Sequence, residues 1–158
     1  MYDFEYQKAT DAQTAVTALK THTDAKYLGG GQSLLAAMKL RLAQPSTLVD
    51  VTRIPGMSGI RTQPGVITVG AATRHADVAD SADIARMLPA LGELAGGIGD
   101  RQVRAMGTLG GSLANNDPAA CYPAAVLGLN ATVVTERRNI AADDFFLGMY
   151  ETALAADE

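Results

Sequence analysis

Apolar and polar positions trade places along the chain with two different periods. Tyr2, Phe4 and Tyr6 alternate with Asp3 and Glu5, which predicts a short strand with one face buried. Asp11 then caps a predicted helix that carries Ala12, Val16 and Leu19 on one face, with Lys20 at its negative end. Lys26-Tyr27-Leu28 reads as a strand that runs directly into Gly29-Gly30-Gly31. After Gln32 and Ser33, the residues Leu34, Leu35, Met38 and Leu42 recur at helical spacing. Pro45 ends that helix, and Thr47 to Val51 reads as a strand. Gly59 to Thr62 and Val66 to Val69 flank Gln63-Pro64-Gly65, the signature of a hairpin.

Further on, Thr73 is the expected cap of a short helix through Val78, and Ser81 of another through Met87. Leu88-Pro89 opens a third helix that reaches Leu94. Pro118 to Thr135 holds no charge and just reaches the length of a helical membrane crossing. Pro118, Pro123, Asn130, Thr132 and Thr135 interrupt it, and Gly128-Leu129-Asn130 reads as a helix stop. A buried helix followed by a buried strand is therefore expected there, and no membrane span. The C-terminal part adds a strand at Ala131 to Thr135, a turn around Arg137-Arg138-Asn139 and a short helix near Asp143 to Leu147. There is no internal repeat and no low-complexity linker, so the pattern predicts one mixed α and β unit.

Composition narrows the function classes. The 158 residues are 47% hydrophobic and 19% charged, a globular balance. With 13 Lys and Arg against 17 Asp and Glu the net charge is −4, so no basic excess exists to neutralise nucleic-acid phosphates. Aromatic residues are 5% and Trp is absent, which disfavours base stacking. The opening MYDFEYQK has neither the basic nor the apolar region of a signal peptide. The single cysteine, Cys121, forms no internal disulfide and no thiolate cage. A cytoplasmic location is the expectation.

Of the 16 glycines, three stand at Gly29, Gly30 and Gly31, and seven more fall between Gly92 and Gly111. The first cluster lies between a strand and a helix start, where free N–H groups attract an anion and the absence of Cβ allows close approach. Ser33 adds a hydroxyl. The second cluster, Gly107-Thr108-Leu109-Gly110-Gly111-Ser112, offers the same small residues, backbone donors and two hydroxyls. Leu34 stands where the third Rossmann glycine would fall, and no G-K-[ST] follows either cluster, so neither standard nucleotide motif is present. A tight turn explains each cluster alone. Together, two donor-rich loops without a lysine suit a diphosphate held by main chain.

Other candidates are weaker. His22 and His75 lack a partnered carboxylate or nucleophile, and a plain surface role is expected for both. Cys121 in an alanine-rich helix reads as a small buried hydrophobe. Asp100-Arg101 and Arg104 beside the second cluster are either solvated charges or an electropositive rim for a dinucleotide. Asp143, Asp144, Glu151, Asp157 and Glu158 make the last twenty residues wholly acidic, which reads as a solvated or partner-facing end.

Leu28-Gly29-Gly30-Gly31-Gln32-Ser33-Leu34, with Met38, Lys39 and Arg41-Leu42, resembles the first FAD-binding loop of molybdenum hydroxylase flavoprotein subunits. These are the medium subunits of carbon monoxide dehydrogenases and the FAD domains of xanthine dehydrogenases. Arg104 to Ser112 resembles the second flavin loop of that family, continued by Asn115-Asn116-Asp117-Pro118 and Pro123-Ala124. Val49-Asp50-Val51, Val69 to Thr73 and Phe145 to Tyr150 also fall where the family has similar segments. The resemblance implies an α+β, two-lobed FAD-binding domain of the vanillyl-alcohol-oxidase type, with a small lobe over about residues 1–50 and a larger one over about 51–158.

It further implies FAD contacts at Gly29, Gly30, Gly31, Gln32, Ser33 and Leu34, and at Thr108, Leu109, Gly110, Gly111 and Ser112. Ala71, Ala72 and Thr73 are expected as additional contacts. No residue of the chain is expected to be catalytic towards substrate or to bind metal. Electrons are expected to come from [2Fe–2S] clusters in an iron–sulfur partner subunit, fed by a molybdopterin subunit, and to pass through FAD to an external acceptor. One cysteine cannot hold such a cluster, so both groups belong to partners. Ser112 and Cys121 stand where many relatives have Asn and Asp, and Glu158 falls near the end of the family's FAD domain, so its C-terminal domain is expected to be absent. Two alternatives stay open: an NAD(P)H-dependent FAD reductase of the same superfamily, and a truncated assembly module without catalysis.

Overall fold

The computed structural model describes residues 1–158. Its first half is a parallel three-stranded sheet, β1 (Glu5–Lys8), β2 (Lys26–Leu28) and β3 (Thr47–Asp50), in the order β1-β3-β2. Parallel neighbours need crossovers. These are α1 (Ala12–Thr21) and α2 (Leu34–Lys39). Central β3 is buried, with Leu48 and Val49 paired to Tyr6 and Gln7 on one side and to Lys26 and Tyr27 on the other.

Asp11 caps α1 as expected, its carboxylate accepting from the Thr14 amide at 2.7 Å. The residues it buries are Ala15, Val16 and Ala18, not Ala12. Small side chains let the helix lie close on the sheet, over Ala9 and Val49. The aromatic alternation at the N-terminus selects the wrong face. Tyr2, Phe4 and Tyr6 are exposed, because α1 covers the side of β1 that Ala9 continues. Leu42 is likewise exposed. The α2 helix stops two residues before Arg41, which takes the left-handed conformation at φ 61°. Arg41 N–H donates to the Met38 carbonyl at 3.0 Å and Leu42 N–H to that of Ala37 at 2.9 Å, a Schellman ending without glycine. The Arg41 guanidinium lies 5.4 Å above the Tyr2 ring.

The second half opens with the hairpin β4 (Ile60–Gln63) and β5 (Val66–Val69), turned by Pro64 and by Gly65 at φ 73°. Then come α3 (His75–Ala79), α4 (Ala82–Met87), α5 (Pro89–Gly96), α6 (Arg101–Met106), α7 (Leu109–Asn115) and α8 (Tyr122–Gly128). The hairpin β6 (Thr132–Val134) and β7 (Asn139–Ala141), the turn α9 (Ala142–Phe145) and the hairpin β8 (Phe146–Gly148) and β9 (Glu151–Thr152) complete it. Buried side chains fall into two clusters. One joins Ala9, Ala15, Ala18, Ala25, Val49 and Ile54; the other runs from Val78 through Ile84, Leu113 and Tyr122 to Phe145.

Three expectations for this half are corrected. Thr73 caps no helix, since its hydroxyl turns away to Gly59, accepting from its N–H at 3.0 Å and donating to its carbonyl at 3.1 Å. The acidic end is paired only at its last two residues: Asp157 meets Arg137 at 2.7 Å and Lys20 at 3.6 Å, and Glu158 meets Arg138 at 3.0 Å, while Asp143, Asp144 and Glu151 are exposed as expected. Cys121 is exposed, at the start of α8. No helix is long and apolar enough to cross a membrane.

Candidate functional site

The end of β2 delivers the chain into Gly29-Gly30-Gly31. Gly31 needs glycine twice over. Its φ is 71°, and an added Cβ would stand 2.7 Å from Leu35 Cδ1. From Gly29 through Gly30, Gly31, Gln32 and Ser33 to Leu34, six consecutive backbone N–H groups donate to nothing within the chain. Gly29, Gly30, Gly31 and Leu34 are half-buried, where unpaired backbone donors are rare, so the run is a set of positive dipole ends without an internal partner. Ser33 makes no capping bond, which leaves its hydroxyl available as well.

The second cluster lies against the first. A Cβ at Gly30 would meet Gly107 Cα at 2.6 Å and the Met106 carbonyl oxygen nearer still; one at Gly29 would meet Thr108 Oγ1 at 2.8 Å. The two segments, far apart in sequence, therefore touch through backbone, and only glycine allows that approach.

All but one of the amides of the second cluster are engaged, unlike those of the first; the exception is Thr108 N–H, which has no partner within the chain. This corrects its reading as a loop of free donors. Residues 71–75 run along residues 107–110, with Arg74 and Thr108 in an antiparallel bridge. His75 N–H donates to the Gly107 carbonyl at 3.0 Å, Leu109 N–H to Thr73 at 2.9 Å and Gly110 N–H to Ala71 at 2.8 Å. Gly111 N–H is capped by Thr108 Oγ1 at 3.2 Å, and Ser112 N–H returns to the Thr108 carbonyl at 3.0 Å. The cluster is thus the start of α7, with Thr108 as its cap. Gly110 is glycine because a Cβ would stand 2.5 Å from that of Ala71.

Ala72 and Thr73 are buried behind this wall, their amides bound to the Met57 and Gly70 carbonyls at 2.6 and 3.0 Å. The exposed groups of the second cluster are few: the half-buried Ser112 side chain and the glycine surfaces.

The flanking charges resolve separately. Asp100 caps α6 through the Val103 amide at 2.8 Å. Arg104 is held by the carbonyls of Ile98 and Gly99 at 3.0 and 2.9 Å, so it braces the loop before α6. Arg101 is exposed. No group of three or more His, Cys, Asp or Glu side chains converges where a metal could sit.

One sequence expectation is overturned here, and one structural residue carried no expectation. His75, expected at the surface, is 5% exposed beneath Gly107. Asn116, one of a run of polar residues, takes the left-handed conformation at φ 42° after α7 and anchors the β8–β9 hairpin. Its Nδ2 donates to the carbonyls of Gly148 at 2.7 Å and Glu151 at 3.0 Å. Asparagine is the non-glycine residue most at ease in that conformation, and its amide supplies two donors.

Residues 2–158 match the family model described as FAD binding domain in molybdopterin dehydrogenase. The chain is 42% identical over 160 residues to the carbon monoxide dehydrogenase medium chain of Hydrogenophaga pseudoflava, covering 98% of this chain and 56% of that one. It is 40% identical over 157 residues to the nicotine 6-hydroxylase medium subunit of Paenarthrobacter nicotinovorans, covering 97% and 56%. Among solved structures, a Hydrogenophaga pseudoflava carbon monoxide dehydrogenase that lacks the Mo-pyranopterin moiety superposes with a TM-score of 0.95 at 41% identity, covering 99% of this chain and 56% of that one. Quinoline 2-oxidoreductase from Pseudomonas putida 86 superposes with a TM-score of 0.94 at 33% identity, again covering 99% and 56%. The chain thus spans about 56% of the length of these relatives.

Proposed function

The chain belongs to the family of FAD binding domains in molybdopterin dehydrogenases, and from that premise we propose that it is the FAD-carrying, electron-transferring part of a molybdenum hydroxylase complex. The observation that carries this reading is the run of six unengaged amides from Gly29 to Leu34, set directly against Met106, Gly107 and Thr108. A diphosphate fits such a cradle. Its oxygens would accept from these N–H groups, Gly29, Gly30 and Gly31 bring no Cβ, and no cation is needed.

In this assignment Gly29, Gly30, Gly31, Gln32, Ser33 and Leu34 donate through backbone, and Ser33 adds its hydroxyl. Thr108, Leu109, Gly110, Gly111 and Ser112 form the facing wall, which contributes shape, the Thr108 N–H and the Ser112 hydroxyl. Ala72 and Thr73 hold that wall in register from behind. The cofactor would lie between a small lobe, about residues 1–50, and a larger one, about 51–158.

FAD held by these residues would supply the redox chemistry, between [2Fe–2S] clusters of an iron–sulfur partner subunit and an external acceptor. The chain's own residues bind and orient; none needs to move a proton on the substrate. Oxidation of the substrate belongs to a molybdopterin partner subunit. That relatives are named medium subunits, and one the subunit alpha of a 6-hydroxypseudooxynicotine dehydrogenase complex, supports a multi-subunit assembly. The free thiol of Cys121 fits a reducing compartment, in keeping with a cytoplasmic complex.

Titration of the chain with FAD, followed by flavin absorbance and fluorescence, tests the cradle. Saturable binding that disappears in a folded Gly30→Val, Gly110→Val variant is expected. Binding of equal strength in the variant, with circular dichroism unchanged, would remove the two segments from the site.

A further inference from the structure

His75 has no part in the cofactor site as assigned above, yet it is buried directly behind it. It is the first residue of α3, and its ring packs on Tyr122 with centroids 5.2 Å apart and planes tilted by 51°. His75 Nδ1 and the Tyr122 hydroxyl are both sealed from solvent without a hydrogen-bond partner. Buried polar atoms are nearly always paired, so two orphans on neighbouring rings set this spot apart from the rest of the core. On its other edge, the His75 ring abuts Gly107: a Cβ there would stand 2.5 Å from Nε2 and 2.8 Å from Cδ2. Gly107 in turn touches Gly30. Tyr122, His75, Gly107 and Gly30 therefore follow one another in a line from the large core to the mouth of the cradle.

We propose that His75 is the positioning residue of the cradle: its imidazole, backed by Tyr122, props Met106–Thr108 against Gly29 and Gly30, and a proton gained by that ring withdraws the prop. The charged and titratable groups on the elements around it give a protonated ring no partner. They are Arg74, Asp77 and Asp80 beside and on α3, Asp83 and Arg86 on α4, Glu93 on α5, Asp100, Arg101 and Arg104 at and on α6, and Cys121 and Tyr122 at α8. Asp83 is committed to Arg86 at 2.7 Å and Arg104 to backbone carbonyls. Only Tyr122 meets the ring, and a neutral phenol cannot offset a positive charge. Burial accordingly pushes the His75 pKa below its ordinary 6.5. A depressed value means the propped state is fully favoured above 6.5 and is lost as pH falls through the lower folded value.

The primary experiment needs no cofactor, although the purpose of the prop rests on the FAD reading. In flavin-free, isotope-labelled chain, the His75 ring and the NOE between the Gly30 and Gly107 α-protons are followed from about pH 8 to about pH 5, the range in which histidine titrates. The cross-peak is expected to weaken with the same midpoint as the ring, below 6.5, and to lose its pH dependence in His75→Gln. A cross-peak that stays constant while His75 titrates, or that still titrates in His75→Gln, overturns the proposal. If His75→Gln fails to fold, the wild-type titration decides alone.

FAD titration then connects the device to the site: roughly tenfold weaker binding is expected for each pH unit below the midpoint in wild type. Loss of the cross-peak without FAD binding at any pH would leave the positioning role intact and remove the cofactor reading. Binding that is independent of pH despite loss of the cross-peak would overturn the claim that the prop serves the cradle.

Discussion

Adding one methyl group to Gly30 tests the contact on which the site depends. Gly30 has no positive φ, so Gly30→Ala brings no backbone strain of its own. Its cost is steric. Gly107 Cα must recede from 2.6 Å to beyond 3.0 Å, and the Met106 carbonyl must recede further. Neither atom belongs to a flexible side chain. The Gly107 N–H is fixed to Val103 O at 2.7 Å, and its carbonyl accepts from His75 at 3.0 Å.

Forcing an extra methylene into close packing costs about 1–3 kcal/mol, and loss of one buried hydrogen bond adds about 1 kcal/mol. The expected loss is therefore about 2–4 kcal/mol, or about 6–12 °C in Tm at about 3 °C per kcal/mol. Gly128→Ala is the same chemical change with nothing within 4 Å, at the last residue of α8. There helix propensity predominates, and a gain of about 0.5–1 kcal/mol is expected. Urea unfolding followed by circular dichroism reads both, as opposite shifts of the midpoint at constant slope. Equal stability of Gly30→Ala and wild type would refute the backbone contact between the clusters.

Two further outcomes are expected. Asn116→Ala strands the carbonyls of Gly148 and Glu151 and puts a Cβ-bearing residue without amide compensation at φ 42°; a loss of about 3 kcal/mol is expected, with Asn116→Gly recovering about 1 kcal/mol of it in the same unfolding assay. Hydrogen bonds from Arg138, Thr135 and the Ala155 amide hold Glu158 down to about 2 from 4.5. The stabilisation is therefore present above 4.5 and lost as pH falls towards about 2, and Tm against pH is expected to drop less steeply across that window in Glu158→Gln.

Local chemistry made much of this molecule readable in advance. Asp11 and Ser81 cap their helices, Pro64-Gly65 turns its hairpin, and Gly29 to Gly31 lie where a strand meets a helix, because each acts within a few residues of itself. What sequence could not supply was burial set by distant partners. The Tyr2, Phe4 and Tyr6 stripe is apolar yet exposed, since only the placement of α1 decides which face of β1 is inside. Arg41 ends α2 in the left-handed conformation without a glycine, its guanidinium over the Tyr2 ring, and no residue beside it in sequence announces that stop. In the second cluster the residue types were recognisable, but the use of its amides was not. Residues 71–75 occupy those of Leu109 and Gly110, and nothing in Gly107 to Ser112 reveals that partner. His75 looked solvated for the same reason: its neighbours Tyr122 and Gly107 come from other elements.

The contact between Gly30 and Met106–Gly107 also orders events in time. A chain emerging from the ribosome presents residues 29–34 early, when their facing wall has yet to be synthesised. The β1-β3-β2 sheet can assemble from the first fifty residues, whereas closure of the cradle must await α6 and the start of α7. Long-range closure of this kind is slow and follows local structure. The newborn domain thus carries its row of unpaired amides without their facing wall through much of its synthesis.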